Sequence, residues 1–280
     1  MLKVPSAIVD CSWLNQHLKD EDLIILNATI PKVTAKGAIP IGDNSQIPFS
    51  RFFDIKQTFS LKNAEFPNTM LSEEEFEKNA RGLGINNESC IVVYDTHGVY
   101  SSPRAWWMFK AMGFDNIAVL DGGLPEWISK GFETEEQLGT KYIKGNFKAN
   151  LQKEKFVNSE FVLSTLNDSE KLILDARSIG RFKGKDPEPR KNVRSGHIPS
   201  SKNLPYSTLL SKGKLKTKEE LRLLYKEVAK DKQQMIFSCG TGITACVLAL
   251  GAELAGYEDF VVYDGSWTEW GSILELPIEV

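Results

Sequence analysis

MIFSCGTGITACVLAL, residues 235–250, holds a complete strand–loop–helix unit. The run from Met235 to Phe237 is short and apolar, of the kind that is buried in a parallel sheet. Cys239 follows Ser238, then comes the loop Gly240-Thr241-Gly242-Ile243-Thr244. The continuation ACVLALGAELAGY reads as a helix that stops near Gly256. Two glycines in so short a connection permit tight curvature. A loop of that shape turns several N–H groups on one point and forms a nest for an anion. The helix N-terminus behind it adds the positive end of its dipole. A cysteine in this setting is a candidate nucleophile and a candidate carrier of a second sulfur. The plainer reading is a thiol buried at a strand end, the usual fate of free cysteine. The glycines and the strand–loop–helix context weigh towards chemistry.

The sequence flanking this unit recurs in the first half of the chain. VYDGSWTEWGS (262–272) resembles VLDGGLPEWIS (119–129), and HIPSSKNLPY (197–206) resembles QIPFSRFFDI (46–55). KLILDA (171–176) resembles LIILNA (23–28), KTKEEL (216–221) resembles LSEEEF (71–76), and QMIFSC (234–239) resembles CIVVYD (90–95). The five pairs keep one order, which is the signature of a duplicated unit. Each copy alternates short apolar runs with helical patterns. The expected class is α/β, with a mainly parallel sheet flanked by helices in each of two tandem domains, residues 1–140 and 155–280. Ser72 with Glu75 and Thr217 with Glu220 fit capping boxes. The polar segment LGTKYIKGNFKANLQKE (138–154) reads as a linker. The repeat sets Asp95 opposite Cys239. A carboxylate cannot carry a sulfane sulfur, so the first copy is expected to be catalytically silent. Asp121 and Asp264, each before a glycine, read as strand-end turn residues.

The rest of the chain narrows the choice of function. It has 280 residues, 41% hydrophobic and 25% charged, with a formal net charge of -3. No basic field draws it to nucleic acid or a membrane surface. No run of about 18 apolar residues is present. The opening MLKVPSAIVDCSWL lacks the apolar core of a secretory signal, so a cytoplasmic protein is expected. None of the four cysteines lies in a CxxC pair, and the three histidines are widely spread, so neither a metal nor another cofactor is expected.

The chain resembles the tandem-rhodanese family almost end to end. CGTGIT (239–244) is similar to the CG[ST]GVT loop of its 3-mercaptopyruvate-using members. Thiosulfate-using members carry basic residues directly after the cysteine, where this chain has Gly240 and Thr241. Phosphatase relatives have a loop one residue longer that closes on arginine, whereas the sixth residue after Cys239 is Ala245. LDARSIGRFKGKDPEPRKNVRSGHIPSSKNLP (174–205) resembles the segment DxRxxGRFxGxxPEPRxxxxxGHIPG. The match implies that Arg181 and Arg190 hold the donor's carboxylate and carbonyl, a task suited to planar guanidinium donors. It also implies a structural role for His197 and a silent first half in which Arg104, Trp106 and Trp107 start a buried helix. Asp175 and Arg177 are expected to form a buried pair, and Arg194 has no assigned role.

The resemblance implies a sulfurtransferase that works through a Cys239 persulfide. Mercaptopyruvate gives its sulfur, pyruvate leaves, and a small thiol, a thioredoxin-like protein or cyanide accepts the sulfur. Gly240, Gly242, Ile243 and Thr244 cradle the substrate sulfur, and Thr241 supplies a hydroxyl for proton movement. The family's histidine behind that hydroxyl falls at Gln46, which is no base near neutral pH. No equivalent of its aspartate is placed in TAKGAIPIGD (34–43). Two alternatives stay open: a thiosulfate:cyanide sulfurtransferase, and a binding module without turnover. Cys11, Cys90 and Cys246 read as small core residues.

Overall fold

A computed structural model describes the chain except residues 35, 36, 40–43, 137, 138 and 140. It falls into two compact units. The first comprises Met1–Lys32, Pro40–Asn63 and Met70–Gln152. The second comprises Lys153–Val280 together with two pieces from the first half of the sequence, Val33–Ile39 and Ala64–Thr69.

Each unit is built on a five-stranded sheet of the same order. In the first, the strands run Ile8–Val9, Ile117–Leu120, Cys90–Tyr94, Leu23–Asn27, Arg51–Phe52. In the second they run Phe156–Val157, Phe260–Tyr263, Gln234–Ser238, Lys171–Asp175, Lys202–Asn203. All neighbours pair parallel. Parallel sheets need cover on both faces, which is why the three inner strands of each sheet centre on apolar runs, while the edge pairs Arg51–Phe52 and Lys202–Asn203 do not. Cys90–Tyr94 is buried at every position. The register equates the halves residue by residue. Asn27 pairs with Tyr94, and Asp175 with Ser238. Asp95 and Cys239 are then the first residues past equivalent central strands.

The helices follow their sequence signals. Thr217 and Glu220 make a full capping box at the head of Lys218–Ala229, and the Ser72 hydroxyl accepts the Glu75 N–H at 3.3 Å. The helix behind the Cys239 loop spans Ala245–Leu254 and is buried from Ala245 through Ala252. An all-apolar helix belongs inside a core. It anchors one end of the loop, and the central strand anchors the other. In the first unit, Ser102–Ala111 takes the same place and buries Arg104, Trp106 and Trp107.

The segment expected as a linker is bound to the first unit over part of its length. Gly145, Phe147, Asn150 and Gln152 donate backbone N–H groups to Arg81, Ile85, Met112 and Ala111. Phe147 is fully buried against Phe76, Phe109 and Phe114. One aromatic anchor outweighs a polar neighbourhood, because burying such a ring is worth about 2–3 kcal/mol. Among the described residues, no helix is long and apolar enough to cross a membrane.

Candidate active site

The loop after the central strand of the second unit is shaped by Ser266. Cys239 and Gly242 both donate their N–H groups to its Oγ at 3.1 Å. The same oxygen donates to the Tyr263 carbonyl at 2.8 Å and lies 3.9 Å from Cys239 Sγ. Ser266 is fully buried and has φ 51°, a left-handed conformation that costs a side-chain-bearing residue about 1 kcal/mol or more. Behind it, Trp267 N–H reaches the Cys239 carbonyl at 3.0 Å, and Thr268 gives both N–H and hydroxyl to Gly240 O. Gly242 has φ 73°, which its missing Cβ allows. Asn68 Nδ2 donates to the Thr241 carbonyl at 3.1 Å. Cys239 itself is fully buried, while Gly240, Thr241 and Thr244 are half-buried. Ile243 is buried and Thr244 heads the helix.

The matching loop in the first unit shows what such a turn does to an anion. The Asp95 carboxylate accepts the N–H groups of Tyr100, Ser101 and Ser102, each at 2.9 Å, on Oδ2. Ser102 Oγ adds a bond at 2.7 Å, and His97 N–H reaches Oδ1 at 2.9 Å. Four main-chain donors and one hydroxyl therefore converge on one buried negative group. In the second unit, the N–H groups of Gly240, Thr241, Ile243 and Thr244 meet no protein acceptor among the described residues.

An alternating row of charges stands beside the loop. Asp175 Oδ2 binds Arg177 Nη2 at 2.6 Å, and Glu188 Oε1 binds Arg177 Nη1 at 2.9 Å. Glu188 also grips Arg181, through Nε at 3.1 Å and Nη2 at 2.5 Å. Arg177 lies 4.4 Å over the Trp267 ring and donates to the Gly196 carbonyl. Burial alone would lower the Arg177 pKa, but Asp175 and Glu188 outweigh it and the net direction is up. The row ends at Arg181 against the loop: a Cβ built on Gly240 would lie 3.2 Å from Arg181 Nη2. Arg190, two residues past Glu188, is half-buried and engaged within the chain.

The duplicated sheet, with a cysteine loop in one copy and an aspartate loop in the other, has counterparts among known proteins. Residues 10–130 and 159–273 each match the rhodanese-like domain. The chain belongs to the rhodanese family. The 3-mercaptopyruvate sulfurtransferase of Escherichia coli (strain K12) is 34% identical over 97% of this chain and 97% of its own length. The thiosulfate/3-mercaptopyruvate sulfurtransferase 1 of Arabidopsis thaliana, a mitochondrial protein, is 36% identical over 97% of this chain and 78% of its own. Among solved structures, SseA of Escherichia coli, a 3-mercaptopyruvate sulfotransferase, matches with TM-score 0.80 at 31% identity, covering 94% of this chain and 99% of that one.

Several members of this rhodanese loop's surroundings carry no local sequence signal. Ser266 stands where the first copy has Gly123, also left-handed at φ 55°. Serine in place of a glycine that strain demands is the mark that singles it out when the halves are aligned. Glu188 was in view inside PEPR, but its two guanidinium partners appear only in three dimensions. Asn68 comes from a distant part of the chain. Of the remaining residues, His197 takes the expected structural place: its Nδ1 is 2.9 Å from the Phe182 carbonyl and its ring stacks on Phe182. Arg194 binds the carbonyls of Gly271, Ile273 and Leu276, so it ties down the C-terminal segment. Gln46 is buried in the first unit, where its Nε2 donates to Glu135 Oε1 at 2.9 Å. In the segment 34–43, residues 35, 36 and 40–43 lie outside the described residues. Cys11, Cys90 and Cys246 are buried free thiols, with Cys246 Sγ bonded to the Gly242 carbonyl at 3.2 Å.

Proposed function

We propose that this rhodanese-family sulfurtransferase draws its sulfur from 3-mercaptopyruvate and carries it as a persulfide on Cys239. The Cys239 thiolate attacks the donor's sulfur, the carbon–sulfur bond breaks, and pyruvate leaves as its enolate, which then takes a proton at carbon. A thiol or cyanide removes the outer sulfur and returns the thiolate. Thr241 orients the donor sulfur and relays the proton. Arg181 and Arg190 hold the donor's carboxylate and carbonyl, and the loop residues Gly240, Gly242, Ile243 and Thr244 enclose the sulfur. Four free cysteines fit a reducing cytoplasm.

The observation that carries this reading is the loop itself: it bears no charge, and Arg181 stands 3.2 Å from the place a side chain at Gly240 would fill. A single carboxylate has one guanidinium edge waiting, while a second sulfonate charge has no basic side chain on the loop. The Asp95 cradle supports the other half of the reading, since the loop at the equivalent place in the first unit's sheet already holds an anion. The test is intact mass after adding each donor. Loading adds one sulfur, roughly 32 Da, to the wild type and nothing to Cys239→Ser. Mercaptopyruvate is expected to load with the higher kcat/KM. A higher value for thiosulfate makes thiosulfate the donor, and no gain from either donor refutes the persulfide.

A further inference from the structure

The peptide unit between Thr241 and Gly242 is held at both ends. Its carbonyl oxygen accepts from Asn68 Nδ2 at 3.1 Å, and its N–H donates to Ser266 Oγ at 3.1 Å. The second grip lies 3.9 Å from Cys239 Sγ. Glycine at a positive φ is the residue for which a preceding peptide plane turns over most easily. The two orientations differ by exchange of a left-handed for a right-handed φ, and glycine adopts both at little cost. The loop's own sequence therefore leaves this plane undecided.

The two orientations are opposite in charge towards the sulfur. As observed, the Gly242 N–H points to the Ser266 side. Turned over, the Thr241 carbonyl would point there instead, towards the lone pairs of a hydroxyl whose proton goes to Tyr263 O, and towards Cys239. A carbonyl oxygen in that place repels an anionic sulfur. Asn68 is suited to preventing this. It is itself buried, at 8% exposed, and its own φ of 64° lies in a region that asparagine tolerates better than other side-chain-bearing residues. Its segment, Ala64–Thr69, is grouped with the second unit although its neighbours in sequence on either side belong to the first.

We propose that Asn68 is a positioning residue: it locks the 241–242 peptide so that the Gly242 N–H, and not the Thr241 carbonyl, is turned to the Ser266 hydroxyl beside the sulfur of Cys239. The inference rests on the reading of Cys239 as the reacting group, and it gives the catalytically silent half of the sequence a part in the reaction.

The test uses full-length Asn68→Ala and Asn68→Gly, both uncharged and without the amide donor, the second accepting the left-handed backbone at Asn68 without strain. Alkylation of Cys239 is followed by peptide mass with two reagents, anionic iodoacetate and neutral iodoacetamide. Loss of the lock lowers the iodoacetate-to-iodoacetamide rate ratio, and kcat/KM for mercaptopyruvate with it, by about fivefold to tenfold. Equal slowing by both reagents, or an unchanged ratio in the folded variants, overturns the proposal. If the alanine protein does not fold, the glycine protein decides. Absence of a donor-dependent mass gain in the wild type refutes the persulfide but leaves the alkylation ratio as a reading of the lock.

Discussion

Asp95 and Cys239 hold the same place in two copies of one sheet. Each follows a central strand, and each gives its carbonyl to the helix beyond the next strand, at Leu124 N–H (3.1 Å) and Trp267 N–H (3.0 Å). Their side chains part ways. The first loop wraps its amides round its own carboxylate and is closed. The second carries a thiol in place of the carboxylate, and its Cys239 and Gly242 N–H groups turn to Ser266 Oγ instead. Asp95 thus occupies its own anion nest, and the acidic side chain has become part of the core.

Replacing Asp95 should therefore cost stability and not chemistry. Asp95→Ala strands the N–H groups of Tyr100, Ser101 and Ser102 in a buried loop. The expected loss is about 3 kcal/mol, the scale for buried donors deprived of a charged acceptor. Urea unfolding measures it. The protein that stays folded should load sulfur on Cys239 at the wild-type rate. A selective loss of loading would show that Asp95 takes part in the chemistry after all.

Gly240 tests the contact between loop and arginine. Its φ is not left-handed, so alanine brings no backbone strain, but the new methyl stands 3.2 Å from Arg181 Nη2. Arg181 cannot retreat freely because Glu188 grips it twice. Gly240→Ala should raise KM for mercaptopyruvate about tenfold, with kcat much less affected, the pattern of lost ground-state binding. Stability should change by less than about 1 kcal/mol. An unchanged KM would remove Arg181 from the donor site.

What the sequence revealed and what it hid divide along one physical line. The inner strands were legible because each centres on an apolar run, whereas the two-residue edge strands Arg51–Phe52 and Lys202–Asn203 carry no such run; the duplication was legible because it was written in five matching segments. The cysteine loop was legible because glycines and a helix start leave a local trace. Phe147 was not, since one ring in a polar stretch makes no period. Asn68 was not, because it acts 173 positions away from Thr241. Glu188 stood within a recognised motif, yet its bridging of two arginines depends on a fold that brings positions 177, 181 and 188 together. Local pattern reports what the backbone does. It does not report which distant side chain completes a site.

Ser266 separates strain from function. Ser266→Gly relieves the left-handed backbone, a gain of about 0.5–1 kcal/mol, but removes the oxygen that gathers the Cys239 and Gly242 amides. Ser266→Ala removes the oxygen and keeps the strain. Both should lower the rate of persulfide loading at least tenfold, the equivalent of about one good hydrogen bond, and the glycine variant should be the more stable of the two. Retention of the full rate by either variant would show that the hydroxyl only fills space.

Cys90 gives the alkaline limit of the fold. Burial, with Asp22 and Asp20 adding to it, pushes its thiol from 9.0 up to about 12. Burial likewise raises the Tyr94 phenol from 10.0 to about 12. In both cases the folded protein keeps a proton that the unfolded chain gives up. The stability so contributed is whole below about pH 9, falls as the unfolded groups ionise, and is gone once the folded groups ionise near pH 12. Unfolding free energy should therefore decline steadily above about pH 9, and Cys90→Ala should flatten part of that decline while leaving the neutral-pH activity intact. Up to about pH 9, Cys90 should also resist alkylation, because the thiolate and not the thiol is the nucleophile. Equal alkaline slopes in the two proteins would place the loss elsewhere, on Tyr94 and on general charge repulsion.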